Sequence, residues 1–143
     1  MNKPEIDLTK LKLVHTLELP VRWRDLDDLG HVNNSVYFTY FEQARVEWWS
    51  TIDEVLAVDK QGPVIVTANC NFLKPIFYPT TLHINVHAGL PGNSSYIIYY
   101  EIFTKNQTLE LAAHGSTKIV WVDYSQGKAI PLPEKFRRLV GPK

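Results

Sequence analysis

Hydrophobic and polar residues alternate along the first part of the chain, from 13 to 23. A period of two places successive side chains on opposite faces of a strand, so this stretch predicts a half-buried β-strand. Pro20 favours an edge or an irregular position for it. One face of the predicted strand carries Leu13, His15, Leu17, Leu19, Val21 and Trp23.

The periodicity changes to three and four between 35 and 56, which is typical of one face of an α-helix. No proline interrupts this stretch, and Asn34 or Ser35 suits the N-cap position. Five aromatic residues between 37 and 48 predict that most of the helix is buried. The predicted apolar face consists of Tyr37, Phe38, Tyr40, Phe41, Ala44, Trp48, Trp49 and Ile52.

Four more strands are predicted after the helix, over 64–73, 81–88, 95–104 and 108–123, with turn residues between them. Connections this short join antiparallel neighbours, not parallel strands. The order predicts an α+β fold in which one helix lies across a curved antiparallel sheet. Because 95–104 is apolar on both faces, we expect a second copy of the chain to cover part of the sheet as a homodimer.

Composition and charge exclude several classes of protein. The chain has 143 residues, of which 45% are hydrophobic, and this suits one globular domain over 1–143. Basic and acidic residues number 15 each, so no net positive charge favours nucleic acid. No stretch is long and apolar enough for a membrane span, and the start lacks the apolar core of a signal peptide. We therefore expect a soluble, cytoplasmic protein without nucleic-acid or membrane partners.

A metal site is not expected either. Cys70 is the only cysteine, which excludes an internal disulfide and a multi-cysteine metal site. His83 and His87 have a spacing that resembles that of metal ligands, but on a strand this spacing spans about 13 Å. We expect both histidines on the solvent face. Cys70 shares a strand face with apolar neighbours, which favours core packing over a role as a nucleophile.

The stretch 24–34, directly before the predicted helix, concentrates the candidate chemistry. The free N–H groups and the dipole of a helix start stabilise negative charge, so a nearby carboxylate can lie beside an oxyanion site. Such a pair suits acyl hydrolysis, in which the aspartate attacks a carbonyl or activates water. Asp and Asn are also common in loops and N-caps, and composition alone favours that structural role. The polar residues concerned are Asp25, Asp27, Asp28, His31, Asn33 and Asn34.

The sequence of residues 23–45, WRDLDDLGHVNNSVYFTYFEQAR, resembles the signature of the 4-hydroxybenzoyl-CoA thioesterase-like branch of hot-dog-fold acyl-CoA thioesterases. The likeness extends over 13–133, and D-x-D-x-x-G-H-V-N-N is its specific core. It implies a single hot-dog domain, in which a long central helix is wrapped by a curved five- or six-stranded antiparallel sheet. It also implies at least a homodimer with the acyl site near the subunit interface, and pairing into a homotetramer stays open.

The resemblance also implies roles for individual residues. Asp27 matches the catalytic carboxylate of the family, acting as nucleophile or general base. Asn34 matches the position whose backbone N–H polarises the thioester carbonyl. The stretch is similar to plant acyl-carrier-protein thioesterases too, in which an aspartate and a histidine four residues later are implicated, here Asp27 and His31. Lys74 is our candidate for a contact with a CoA phosphate.

The expected function is hydrolysis of an acyl-CoA or acyl-carrier-protein thioester to a free acid and a thiol. No cofactor is expected, since CoA is part of the substrate. The alternative is a non-hydrolytic hot-dog protein that binds acyl thioesters or has a regulatory function. Asp27 distinguishes the two, because a binding protein needs no carboxylate at the helix start. Glu42 and Arg45 have the spacing of a helical ion pair, which we favour over a catalytic role for Glu42.

Overall fold

The computed structural model describes residues 6–52 and 60–142. A long helix α1 (Val36–Ser50) packs against a curled antiparallel sheet, and a short helix α2 (Glu134–Leu139) packs near one end. This confirms the predicted α+β hot-dog fold. The strands are β1 (Lys12–Pro20), β2 (Gln61–Phe72), β3 (Thr81–Ala88), β4 (Ser95–Lys105), β5 (Leu109–Asp123) and β6 (Lys128–Ala129). Their order in the sheet is β1-β3-β4-β5-β2, with β6 beside β5.

Helix α1 buries an aromatic face against the sheet. The Phe41 ring stacks on Tyr100 of β4 with the ring centroids 4.3 Å apart. Gly115 of β5 permits this approach, because a Cβ atom there would lie 2.7 Å from Cε2 of Phe41. Phe38 was predicted on the same face but is 38% exposed, because it borders a gap between α1 and β2. The buried residues of α1 are Tyr37, Tyr40, Phe41, Ala44, Trp48 and Trp49.

Ser35 is the N-cap residue of α1, one of the two positions predicted, and Asn33 supplies a side-chain acceptor there. Oδ1 of Asn33 accepts hydrogen bonds of 2.9 Å from both the N–H and the hydroxyl of Ser35. The Ser35 side chain makes no capping hydrogen bond of its own, and its backbone angles, φ −66° and ψ −27°, are already helical. The side-chain acceptor at the helix start therefore comes from Asn33, two residues before the N-cap position.

The described part of α1 ends at Ser50, earlier than the predicted 56. The hydroxyls of Ser50 and Thr51 donate to the carbonyls of Glu47 and Trp48 at 2.7 and 2.6 Å, respectively. Such local bonds compete with the regular helical pattern. The predicted residues 53–56 lie outside the described part of the chain.

Strand β1 departs from strict alternation at a bulge between Leu13 and His15. The extra residue moves Leu13 to the outer face of the sheet, where it is 49% exposed. His15 faces α1, and its Nε2 lies 3.0 Å from Oε1 of Glu47. Trp23 does not extend the strand as predicted; it begins a 3₁₀ turn and is 72% exposed.

Strand β2 lies at an edge of the sheet, with β5 as its neighbour. Cys70 packs against the core as predicted, and burial raises the pKa of its thiol to about 12. Val66 and Phe72, expected to share that core face, are 51% and 43% exposed. Strand β4 lies inside the sheet between β3 and β5, whereas β2 is an edge strand with exposed apolar side chains.

His87 was predicted to be solvent-exposed, but its side chain is buried on the outer face of the sheet. This side chain is buried because Leu13 and Tyr99 flank it on the neighbouring strands. Nε2 of His87 lies 3.0 Å from Oε1 of Glu101. His83 is partly exposed and pairs instead with Glu18 and Asn85. Within the described residues, no group of three or more His, Cys, Asp or Glu side chains could hold a metal ion.

Candidate active site

The polar stretch before α1 forms a small ordered hairpin. Leu26 and Val32 pair as an antiparallel bridge, and the Asp27 N–H donates to the His31 carbonyl at 3.0 Å. The Gly30 N–H donates a 3.1 Å hydrogen bond to the Asp27 carbonyl, and this bond closes the turn. Gly30 has φ +87°, a conformation that glycine adopts without steric strain. The hairpin therefore places Asp27 and His31 opposite each other at its base.

The Asp27 carboxylate is held by one oxygen only. Oδ1 accepts a 2.9 Å hydrogen bond from the Leu29 N–H. Oδ2 lies 3.9 Å from Nδ1 of His31, which is too far for a hydrogen bond. The Asp27 side chain is 26% exposed, so its second oxygen is accessible. One oxygen thus orients the carboxylate and leaves the other for a substrate or a water molecule.

Asn34 lies in the turn that leads into α1, two residues before Val36, and is exposed. The side chain of Asn33 accepts a hydrogen bond from the Ser35 N–H, and the carbonyl of Asn33 accepts one from the Val36 N–H. Among the described residues, the Asn34 N–H has no such acceptor. A free N–H at the positive end of a helix can stabilise a developing oxyanion. The backbone of Asn34 therefore has the chemistry that the family resemblance implies.

Asp25 anchors the hairpin to the helix, a role that sequence reasoning missed. It is 4% exposed and accepts hydrogen bonds from the Tyr40 hydroxyl (2.8 Å) and the Arg22 N–H (3.0 Å). Its carbonyl accepts the Asn33 N–H at 2.9 Å. Burial, together with the bond to Asp25, raises the pKa of Tyr40 well above its usual range. Asp25 and Tyr40 are separated in the sequence by a turn and a helix start, so no local sequence pattern predicts this contact.

The segment after β2 supports the other side of the hairpin. The Val32 N–H donates to the Ile76 carbonyl at 2.8 Å, and His31 forms a β-bridge with Phe77. The Phe77 ring meets the His31 ring edge-on, with centroids 6.4 Å apart, and is 58% exposed. Sequence reasoning missed Phe77 because its partner is distant along the chain. Lys74 lies just before this segment, 43% exposed, and forms an ion pair with Glu110.

A long helix wrapped by an antiparallel sheet, with an acidic hairpin at the helix start, defines a thioesterase of the hot-dog class. The sequence profile described as "Thioesterase-like superfamily" matches residues 21–140. The chain belongs to this superfamily and is a thioester hydrolase. No helix in the described residues is long and apolar enough to cross a membrane.

Several known proteins are similar to this chain. The PA2801 protein from Pseudomonas aeruginosa has 36% sequence identity to this chain, and its solved structure matches with a TM-score of 0.81. The match covers 89% of this chain and 98% of the PA2801 chain. A DHNA-CoA thioesterase from Staphylococcus aureus is 26% identical, with a TM-score of 0.75, over 86% and 83% of the two chains. The acyl-acyl carrier protein thioesterase ATL3, chloroplastic, of Arabidopsis thaliana is 32% identical over 130 residues, which are 86% of this chain and 65% of the plant protein.

Proposed function

We propose that this protein is a cytoplasmic enzyme that hydrolyses acyl-CoA or acyl-carrier-protein thioesters to a free acid and a thiol. The carrying observation is the Asp27 carboxylate, with one unbonded oxygen, in a hairpin that leads directly into the free N–H of Asn34. The similarity to a CoA thioesterase and to an acyl-carrier-protein thioesterase supports both carriers as substrates.

Two routes are compatible with this geometry. In the first, Oδ2 of Asp27 attacks the thioester carbonyl, the C–S bond breaks, and water hydrolyses the resulting anhydride. In the second, Asp27 takes a proton from water, and the hydroxide attacks the carbonyl directly. In both, the Asn34 N–H stabilises the tetrahedral oxyanion. The leaving thiolate takes its proton from solvent water in the first route and from the protonated Asp27 carboxyl in the second. His31 orients the carboxylate or hydrogen-bonds to the substrate.

The proposed enzyme acts as at least a homodimer, with the acyl site near the subunit interface. The support is the free edge of β2, where Ile65, Val66 and Phe72 are 39%, 51% and 43% exposed. An unpaired strand with apolar side chains favours pairing with another strand. An isologous pairing of β2 with its copy would join the two sheets and cover these side chains. Pairing of such dimers into a homotetramer stays open.

Lys74 remains the candidate for a CoA phosphate. Its ammonium is partly exposed and paired with the Glu110 carboxylate, so a phosphate would compete with that carboxylate. The reaction needs no separate cofactor in this proposal, because CoA arrives with the acyl group.

The test is thiol release from a panel of acyl-CoA and acyl-carrier-protein thioesters with aliphatic and aryl acyl groups. Turnover of at least one thioester, above the rate of its spontaneous hydrolysis, supports the proposal. Saturable binding of the same thioesters without thiol release supports the non-hydrolytic alternative instead and overturns the proposal.

A further inference from the structure

Helix α1 and strand β2 diverge, and a cavity of about 200 Å³ lies between them. Its helical wall begins at Phe38, one turn beyond Asn34, and continues to Glu42 and Arg45. The sheet contributes Ile65 and Thr117. The cavity therefore lies along the helix and begins one turn beyond the proposed oxyanion site.

Arg45 introduces a positive charge into this cavity. Its side chain is 11% exposed, and Nη2 lies 3.7 Å from Oε2 of Glu42, which confirms the predicted ion pair. That distance is too long for a hydrogen bond, and Glu42 is 64% exposed, so water weakens the attraction. The charge of Arg45 also acts on Tyr96 and Tyr100. Burial raises the pKa of both hydroxyls, and the charge of Arg45 acts in the opposite direction.

Arg45 has hydrogen-bond donors that are open to the cavity. A guanidinium carries five N–H donors. Among the described residues, Glu42 is the carboxylate paired with it, at a distance too long for a hydrogen bond, and no Arg45 nitrogen is both fully buried and without a partner. The other cavity walls are apolar or bear a single hydroxyl, as on Thr117. A ligand oxygen entering the cavity could therefore accept from Arg45 in place of water.

We infer that the cavity holds the acyl group and that Arg45 is a specificity-determining residue that binds an oxygen on it. The inference rests on the proposed thioesterase function and adds a substrate class: acyl groups with a hydroxyl, keto or carboxyl oxygen remote from the thioester. The Cα atoms of Val36 and Arg45 are about 13.5 Å apart along α1, and the arginine side chain leans back by about one turn. With Asn34 two residues before Val36, this leaves about 10 Å, roughly the span of an eight-carbon chain.

The experiment compares three substrates of equal chain length: octanoyl-CoA, its terminal-hydroxyl derivative and the mono-CoA thioester of octanedioic acid. For the wild-type protein, we expect kcat/KM for at least one oxygenated substrate to exceed that for octanoyl-CoA by about 10–100-fold, the range of one charge-assisted hydrogen bond. The hydroxyl and carboxyl arms distinguish a neutral acceptor from an anion. Arg45→Met should reduce the selectivity ratio to about one, whereas Arg138→Met, a change at an arginine 77% exposed on α2, should leave it as in the wild type.

The wild-type comparison stands even if Arg45→Met does not fold, and Arg45→Lys, which keeps the charge, should retain part of the selectivity. Hydrolysis of all three substrates at equal kcat/KM overturns the inference and leaves the thioesterase function intact. Selectivity that persists in folded Arg45→Met also overturns it. Failure to hydrolyse any thioester in this set or in the wider panel overturns the proposed function itself.

Discussion

The hydroxyl of Tyr40, on the first turns of α1, donates a 2.8 Å hydrogen bond to Oδ2 of Asp25, and both residues are buried. This bond joins the helix that directly follows the free Asn34 N–H to the hairpin that carries Asp27. The relative position of the two proposed reacting groups therefore depends on a pair of residues that touch no substrate.

Replacing Tyr40 with Phe removes the donor and leaves a buried carboxylate with one fewer partner. We expect the free energy of unfolding to fall by about 1.5–3 kcal/mol, the usual value of a hydrogen bond to a charged group. Denaturant unfolding measures this change. Tyr37→Phe is the matched control, because the Tyr37 hydroxyl has no hydrogen bond to a described residue, and its loss should cost less than about 0.5 kcal/mol. Equal effects of the two changes would contradict the anchoring role.

Replacing Asp27 with Asn keeps the shape of the side chain and removes its charge. We expect kcat to fall by about 10²–10⁴, the contribution of a positioned acid or base. Asp28→Asn, at the exposed neighbouring position, should change kcat much less. Steady-state kinetics with a thioester that the wild-type protein hydrolyses test this prediction, and thermal melting checks that each variant is folded. A folded Asp27→Asn protein with wild-type turnover would show that the proposed mechanism is wrong.

Replacing Val66 with Lys places a charge on the free edge of β2. If that edge forms the dimer interface, sedimentation should show a shift from dimer to monomer, and thiol release should fall with it. The stability of the subunit itself should change by less than about 0.5 kcal/mol, because Val66 is 51% exposed. A stable wild-type monomer with full activity would contradict the proposed assembly.

Glu101 should make the outer face of the sheet sensitive to acid. Its hydrogen bond with His87 is the largest influence on the pKa of Glu101 and lowers it; burial opposes this, and Asn85 and His114 lower it further. A carboxyl whose pKa is lowered by folding stabilises the folded state above its unfolded pKa, near 4.5, and this stabilisation is lost as the pH falls through the folded value. Below about pH 5, the unfolding free energy of Glu101→Gln should therefore decrease less steeply than that of the wild type. Glu134→Gln, at a side chain 68% exposed, is the control.

Gly115 should not tolerate a side chain. Gly115→Ala places a Cβ atom 2.7 Å from Cε2 of Phe41 and closer still to the backbone oxygen of Asn69. Overpacking of this kind costs about 1–3 kcal/mol, and we expect that loss in the free energy of unfolding. At Gly92 the nearest atom is the hydroxyl oxygen of Ser95, 3.0 Å away on a small side chain that can rotate, so Gly92→Ala should cost less. An Ala at 115 without loss of stability would mean that α1 can move off the sheet freely.

Much of the fold could be predicted because it depends on local periodicity. The change from a period of two to one of three and four located α1, and the turn residues located β3, β4 and β5 to within one residue at each end. The motif in 25–34 similarly indicated a functional loop directly before the helix, and the structure forms that loop as the hairpin that carries Asp27. In both cases, a short stretch of sequence carries the physical cause, side-chain alternation in one and helix-start chemistry in the other.

The failures share a different origin. The Leu13 bulge, the burial of His87 and the exposure of Phe38 depend on which strands become neighbours and how far β2 stands from α1. Strand order is set by the packing of the whole chain, so no local window contains it.

The sequence by itself therefore determined most of the elements, their antiparallel connection and the residues that we propose for acyl hydrolysis. Only the tertiary structure decided that Asp25 is a buried anchor, that Phe77 borders His31 and that Arg45 lines a cavity between α1 and β2. The physical reason is that periodicity and capping act over a few residues, whereas burial and pairing arise between segments far apart along the chain.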